Sequence, residues 1–339
     1  MRAAVIPHFG PPEVLTVKEI PTPAAGEGEI LVRVRAIGVN FADVFARLGV
    51  YPGIPNPPFV PGIEYAGTVE SAGHGVRGFR RGQKVFGFTR QNGYAEFVCV
   101  PAQNATPMPA HMSFEEAAAF TVAYLTAYHG LVNLAHATRG EKVLIHAAAG
   151  GVGIASIQIA KALGLEVFAT VGSDEKARVA REQGADHVIN YRARDFAGEV
   201  RRISLGYGVD IVMDGVAGPA YRKGLKLMAP MGRYIMFGVS AVNAPKRLNF
   251  LRIVLDYLTA PRILLSSQIR KNVGYHAFNL YFLTHKTDLM RSSISALLAW
   301  YRQGALKPLV SATFGLDQVV DVHRLLQSRK AVGRIVIIP

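Results

Sequence analysis

A chain of 339 residues is too long for one small core and suits two domains or one elaborate α/β domain. Half of the residues are hydrophobic, 18% are charged and 34 are glycine, which excludes a disordered chain, a collagen helix and a coiled coil. One cysteine excludes a disulfide framework and a four-thiolate zinc cluster and fits a reducing, cytoplasmic compartment, while a net charge of +14 keeps a nucleic-acid or anionic-membrane partner in view.

In chain order, Met1 to Pro7 lacks a long apolar core and a small-residue cleavage site, so no signal peptide is expected. Thirteen of the 19 prolines precede residue 110. That region alternates short β-like runs (Ile30 to Ala36, Glu64 to Val69, Lys84 to Phe88, Tyr94 to Val100) with Gly/Pro turns, the texture of a barrel-like β domain. Ser113-Phe-Glu-Glu116 has the capping-box spacing and opens a helix rich in small residues. The uncharged stretches 117–138 and 143–160 are interrupted by His, Asn and Gly, and neither has the apolar density of a bilayer span.

From Lys142 the texture changes. Strands are expected at Val143 to His146, Glu166 to Val171, His187 to Asn190, Val209 to Met213 and Gly232 to Phe237. Helices are expected at Gly151 to Leu163, Asp174 to Gln183, Asp195 to Ile203 and Ala220 to Leu227. Apolar strands alternating with helices predict a parallel, doubly wound α/β sheet. Beyond Trp300, a run from Leu309 to Phe314, a helix near Asp317 to Gln327 and a strand from Arg334 to Ile338 return to the texture of the first domain and are expected to complete it.

Directly after the strand ending at His146, Ala147-Ala-Ala-Gly-Gly-Val-Gly153 opens a helix. In the Gly-x-Gly-x-x-Gly register, Ala148 stands at the first position, Gly150 and Gly153 at the others. Gly150 lets the backbone approach a pyrophosphate, Gly153 permits close helix–strand packing, and Gly151 and Val152 lie in the helix N-terminus that faces the anion. The flanking strand and helix make this a dinucleotide site. An NAD enzyme places an acid at the end of the next strand to hold the ribose 2′-OH. Here Gly172 and Ser173 occupy that tip, Lys176 sits one turn into the helix, and Tyr191 follows the third strand. This set suits a 2′-phosphate, so the expected cofactor is NADPH. The other reading is that Ser173 or Asp174 caps the helix and Lys176 is solvated.

Six stretches resemble the medium-chain dehydrogenase/reductases of the quinone oxidoreductase (zeta-crystallin-like) branch: Gly38-Val-Asn-Phe-Ala-Asp43, Pro61-Gly-Ile-Glu-Tyr-Ala-Gly67, Gly82-Gln-Lys-Val85, Leu125-Thr-Ala-Tyr128, Ala147 to Gly153 and Asn190-Tyr-Arg192. Pro245-Lys-Arg247, Gly274-Tyr-His276 and Val332-Gly-Arg334 are most similar to its vesicle amine transport protein subgroup. The resemblance implies a GroES-like catalytic β-barrel domain over residues 1–122, completed by about 305–339, and a Rossmann NADPH-binding domain over 123–304. It implies that Asn40, Tyr51 and Thr126 face nicotinamide and substrate, with Asn40 and Tyr51 hydrogen-bonding the acceptor carbonyl and Tyr51 or solvent delivering a proton. Asp43 is expected to be structural. Gly238, Val239 and Ser240 are expected beside the cofactor, Arg334 at its ribose phosphate, and the assembly as a dimer.

The zinc enzymes of this superfamily differ at the ligand positions. Asn40 stands where they carry a cysteine, Gly62-Ile63-Glu64 lacks the histidine of their Gly-His-Glu motif, and Phe120 to Tyr128 offers no third ligand. A catalytic zinc needs about three protein ligands, and Cys99 with ten scattered histidines does not supply them, so no metal is expected. The histidines are expected at the surface or as caps. The expected reaction is hydride transfer to a quinone or an α,β-unsaturated carbonyl. The alternatives are an enoyl-thioester reductase and, from another class, a membrane- or RNA-associated binding protein that retains the fold.

The basic–apolar stretch 246–271 suits a substrate lid, a dimer contact or a peripheral membrane surface. No RNA module and no basic–aromatic repeat is present, so nucleic acid is not an expected partner.

Overall fold

The computed structural model describes residues 1–240 and 265–339. The chain divides into two compact units. One comprises Met1–Ala123, Lys286–Asp288 and Pro308–Pro339; the other comprises Tyr124–His285 and Leu289–Lys307.

The first unit begins with β1 (Arg2–Val5) paired antiparallel to β2 (Thr16–Glu19), a ribbon not among the expected strands. β3 (Glu29–Gly38), α1 (Phe41–Arg47), β4 (Glu64–Ala72), β5 (Lys84–Phe88), β6 (Phe97–Pro101) and β7 (Ala105–Pro107) follow. β3 pairs with β4 and β6, and β4, β5 and β7 continue the antiparallel sheet. In β3, Val32 and Val34 are buried while Arg33 and Arg35 reach solvent, the period-two pattern of a strand with one face on a core. Ile30, Val32, Ile37, Val69 and Val98 share that core. α2 (Phe114–Ala118) opens with the expected capping box, Ser113 and Glu116 exchanging hydrogen bonds at 3.1 and 3.0 Å. α3 (Thr121–Tyr128) then runs into a π-helical stretch at His129–Leu134.

The second unit carries β8 (Lys142–Ile145), α4 (Gly151–Leu163), β9 (Glu166–Val171), α5 (Asp174–Glu182), β10 (His187–Asn190), α6 (Phe196–Ile203), β11 (Val209–Asp214), α7 (Pro219–Gly224) and β12 (Met228–Met236), then α8 (Leu265–Lys271), β13 (Gly274–Ala277) and α9 (Thr287–Arg302). Among the described residues its six strands are parallel, in the order β10-β9-β8-β11-β12-β13. The chain moves outward from β8 to β10 and restarts at β11, so the strand order reverses between β8 and β11. In open parallel sheets ligands bind outside the strand carboxyl ends at such a reversal. Val143, Leu144 and Ile145 are fully buried, which explains why β8 reads as an unbroken apolar run. β13 was not among the five expected strands: it is short, half-buried and at the edge, so its residues carry little apolar signal.

The chain then returns to the first unit. β14 (Val310–Gly315) lies parallel to β15 (Arg334–Ile338), α10 (Val319–Gln327) links them, and β15 pairs antiparallel with β3. Among the described residues no helix is long and apolar enough to cross a membrane. Most of the basic–apolar stretch at 246–271 lies outside the described residues; its end forms α8, with Arg270 and Lys271 in the last turn.

Candidate active site

In the parallel-sheet unit, Ala147 turns the chain after β8 with φ 51°, a left-handed conformation unusual for alanine. Gly150 N–H donates to Ala147 O at 2.9 Å and Ala148 N–H donates to Thr170 O at 3.1 Å, which fastens the turn to β9. A Cβ on Gly153 would lie 2.4 Å from Ala147 O and 2.7 Å from the Ala148 backbone, so only glycine lets α4 start this close. α2, α5 and α6 are capped by the side chains of Ser113, Ser173 and Asp195, whereas α4 begins at Gly150 with no side-chain cap. Its first-turn N–H groups at Gly151, Val152 and Gly153 therefore form an uncapped, positive dipole end of the helix.

At the carboxyl end of β9, Ser173 caps α5 by accepting from Lys176 N–H at 3.3 Å. A Cβ on Gly172 would lie 2.7 Å from the Tyr191 phenol oxygen, so the tyrosine from the end of β10 covers the tip of β9. Lys176 is half-buried; burial, and then the neighbouring charge of Arg192, lower its pKa. Arg192 was not among the expected site residues. Its turn is held by Asn190, which accepts from Arg192 N–H at 3.1 Å and donates to Asp174 at 2.9 Å. The available signal was its place beside Tyr191 in the Asn-Tyr-Arg motif. Gly172, Ser173, Lys176, Tyr191 and Arg192 thus form one group with two cations at its end.

At the switch point, Asp214 accepts from Val216 N–H (2.6 Å), Ala217 N–H (2.9 Å) and Tyr234 OH (2.6 Å), fixing the turn after β11. Gly238 packs on Gly215, where a Cβ would meet Gly215 O at 3.0 Å, and Ser240 N–H donates to Gly215 O at 3.1 Å. Gly238, Val239 and Ser240 therefore follow the carboxyl end of β12, with Val239 exposed. Thr126 is buried in α3.

In the barrel unit, Asn40 is buried at the start of α1. Its amide donates to Gly38 O at 3.2 Å and to Glu64 Oε2 at 3.0 Å, and its oxygen accepts from Arg334 at 2.7 Å. Both amide hydrogens are used inside the barrel. Arg334 also pairs with Glu64 in a buried setting, so its charge is compensated inside the barrel. Glu64 was missed. The clue was a glutamate kept in Gly-Ile-Glu where the neighbouring histidine is lost. Burial raises the Glu64 pKa, against the opposing pull of Arg334 and the α3 N–H groups.

Asp43 accepts from Asn40 N–H at 2.8 Å and Tyr94 OH at 3.1 Å, a structural assignment in keeping with its place in α1. Burial pushes its pKa up to about 7. Tyr51 lies half-buried in the turn after α1. The residues at the zinc-ligand positions do not fit a metal: Asn40 and Glu64 are saturated by each other and by Arg334, and Ile63 has no donor atom. Among the described residues no group of three or more His, Cys, Asp and Glu lies together. Three histidines depart from the surface-or-cap expectation. His129, His146 and His323 are buried, with His146 on Thr170 at 2.8 Å and His323 beside Arg47 at 3.4 Å.

Two family models match, the alcohol dehydrogenase GroES-like domain over residues 26–110 and the zinc-binding dehydrogenase over 151–275. The synaptic vesicle membrane protein VAT-1 homolog of Danio rerio is 39% identical over 93% of this chain, which spans 65% of that relative. The Rattus norvegicus homolog is 35% identical, covering 100% of this chain and 84% of its own length. Among solved structures, Escherichia coli quinone oxidoreductase complexed with NADPH superposes with a TM-score of 0.89 at 30% identity, covering 100% of both chains. CurK enoyl reductase superposes with a TM-score of 0.87 at 28% identity, covering 99% of this chain and 98% of that one.

Proposed function

The chain belongs to the medium-chain dehydrogenase/reductase superfamily, and from that premise we propose that it is an NADPH-dependent, zinc-independent reductase of quinones or α,β-unsaturated carbonyls. The observation that carries the cofactor reading is the tip of β9, where Gly172 and Ser173 stand in place of the acid an NAD enzyme uses for its 2′-OH and Lys176 and Arg192 lie nearby. The half-buried Lys176 and the exposed Arg192 supply two cations there for a phosphate dianion.

The first turn of α4 holds the pyrophosphate through its uncapped N–H groups, and Gly153 keeps that turn against β8. Ser173, Lys176, Tyr191 and Arg192 bind the 2′-phosphate. Gly238 to Ser240, at the carboxyl end of β12, border the nicotinamide. When bound, the reduced nicotinamide supplies the hydride. Tyr51 Oη donates to the acceptor oxygen as negative charge develops there. The Asn40–Glu64–Arg334 cluster has no vacant donor set for a Lewis acid, which favours acceptors that are already electrophilic.

A stopped-flow screen of NADPH oxidation across quinones, enones and enoyl thioesters tests this. Turnover of quinones or simple enones is expected. The likeness to CurK enoyl reductase favours a second reading, reduction of an enoyl thioester. Turnover of crotonyl-CoA with refusal of quinones and simple enones would replace the first reading with the second.

A further inference from the structure

Ala147 holds a left-handed φ of 51°, a conformation that costs any L-residue with a Cβ. Both of its neighbours are tied to Thr170 of β9. His146 Nδ1 and Thr170 Oγ1 share a hydrogen bond at 2.8 Å, and Ala148 N–H donates to Thr170 O at 3.1 Å. His146 N–H also donates to Met213 O of β11 at 3.0 Å, so this residue is held by the strands on both sides of β8. Ala147 O accepts from Gly150 N–H at 2.9 Å and lies against Gly153, so the start of α4 is built on the peptide that Ala147 aims. The imidazole is buried, edge-to-face with Phe196 at 5.1 Å, and its Nε2 has no hydrogen-bond partner among the described residues. Burial lowers its pKa against the pull of Asp214, so the ring is neutral. A leucine would fill this space with no orphaned nitrogen; what the histidine adds is the bond to Thr170.

We propose that His146 is a positioning residue for the dinucleotide: pinned through its side chain to Thr170, it holds Ala147 in the left-handed conformation that aims the first turn of α4 at the pyrophosphate. This rests on the proposed function, because the turn matters to a cofactor only if that reading holds. Without the bond, Ala147 relaxes toward negative φ and the fraction of molecules with the turn correctly aimed falls. Apparent affinity falls in proportion to that fraction. NADPH and NADH carry the same pyrophosphate, so both lose alike, in contrast to a loss at the 2′-phosphate group.

Thr170→Val is the test: it removes the hydroxyl and keeps the branched shape. Binding of NADPH and of NADH, followed by cofactor fluorescence, is expected to weaken about five- to tenfold for both. Thr170→Val/Ala147→Gly is the deciding companion. Glycine takes the left-handed φ without penalty, so affinity is expected to return to within about twofold of wild type. If His146 and Thr170 only stabilise the core, Ala147→Gly adds no packing and restores nothing. Should Thr170→Val fail to fold, His146→Asn against His146→Leu makes the same comparison: the amide keeps a polar atom where Nδ1 stands and retains affinity, and the leucine loses it. Unchanged binding in Thr170→Val, a loss confined to NADPH, or no recovery on adding Ala147→Gly overturns the proposal. If wild type binds neither dinucleotide, the functional reading fails, and amide hydrogen exchange at Ala148 and Gly150 still decides whether His146 sets the turn. Exchange there is expected to speed up in Thr170→Val and to slow again with Ala147→Gly; unchanged exchange in Thr170→Val overturns the proposal.

Discussion

The phenol of Tyr191 lies over the α-carbon of Gly172, so close that a Cβ would come within 2.7 Å of its oxygen. β9 and β10 run parallel with Val171 beside Asn190, and Tyr191 N–H donates to Val171 O at 3.0 Å, so the two residues leave the sheet together. The phenol is the exposed end of its side chain and can turn aside for a residue at 172. Gly172→Asp, the single change that would install an acid for a ribose 2′-OH, is expected to weaken NADPH at least about tenfold, because the carboxylate repels the 2′-phosphate. Titrations of both cofactors check this, and NADPH affinity unchanged by Gly172→Asp would contradict it.

Lys176→Ala is expected to weaken NADPH about ten- to a hundredfold, the worth of one charge-assisted hydrogen bond, and to leave NADH within about twofold. Arg192→Ala should act in the same direction. Equal losses for the two cofactors would put the 2′-phosphate elsewhere.

Gly153→Ala places a methyl 2.4 Å from Ala147 O, against backbone that cannot yield. The expected result is a loss of about 2 kcal/mol or more in unfolding free energy and loss of cofactor binding, because α4 must move away from β8. Urea denaturation and cofactor titration measure the two effects separately.

Asp43 makes stability depend on pH. Burial holds its folded pKa up to about 7 despite the Asn40 N–H, Tyr94 and Arg334. The unfolded carboxyl titrates near about 3.9. Between these values the folded protein keeps a proton that the unfolded chain has released, so this contribution is complete at low pH and is lost as pH rises through about 7. Asp43→Asn, which stays neutral, is expected to show a flatter decline in Tm from about pH 5 to about pH 8 than wild type. Parallel declines would mean that Asp43 is already ionised in the fold.

Arg47 is fully buried, donating to Gly10 O at 3.1 Å and Gln327 at 2.9 Å and lying 3.4 Å from His323 Nδ1. Burial, and then Arg47, hold the His323 pKa down to about 3, so the imidazole is neutral and acts as acceptor. Arg47→Ala leaves three acceptors unpaired and opens a cavity between α1 and α10. A loss of about 3 kcal/mol or more is expected in equilibrium unfolding; a cost below about 1 kcal/mol would show that water replaces the guanidinium.

What the sequence by itself determined is local. The apolar run at Val143 to Ile145, the glycines that follow and the periodic helix from Gly151 depend on neighbours a few residues away, and so do the Ser113 and Ser173 caps. Those signals sufficed for the parallel-sheet fold. What only the tertiary structure decided is the partner of each buried charge. Arg334 faces Glu64, 270 positions away, because β15 lies against β3 with Val336 beside Gly38. Asn40 turns inward for the same reason, and β13 and the buried histidines were hidden by it as well. A hydrogen bond within a turn is set by chain geometry that the residues spell out. The pairing of charges across a core depends on which strands come to lie side by side, and no single stretch of sequence carries that information.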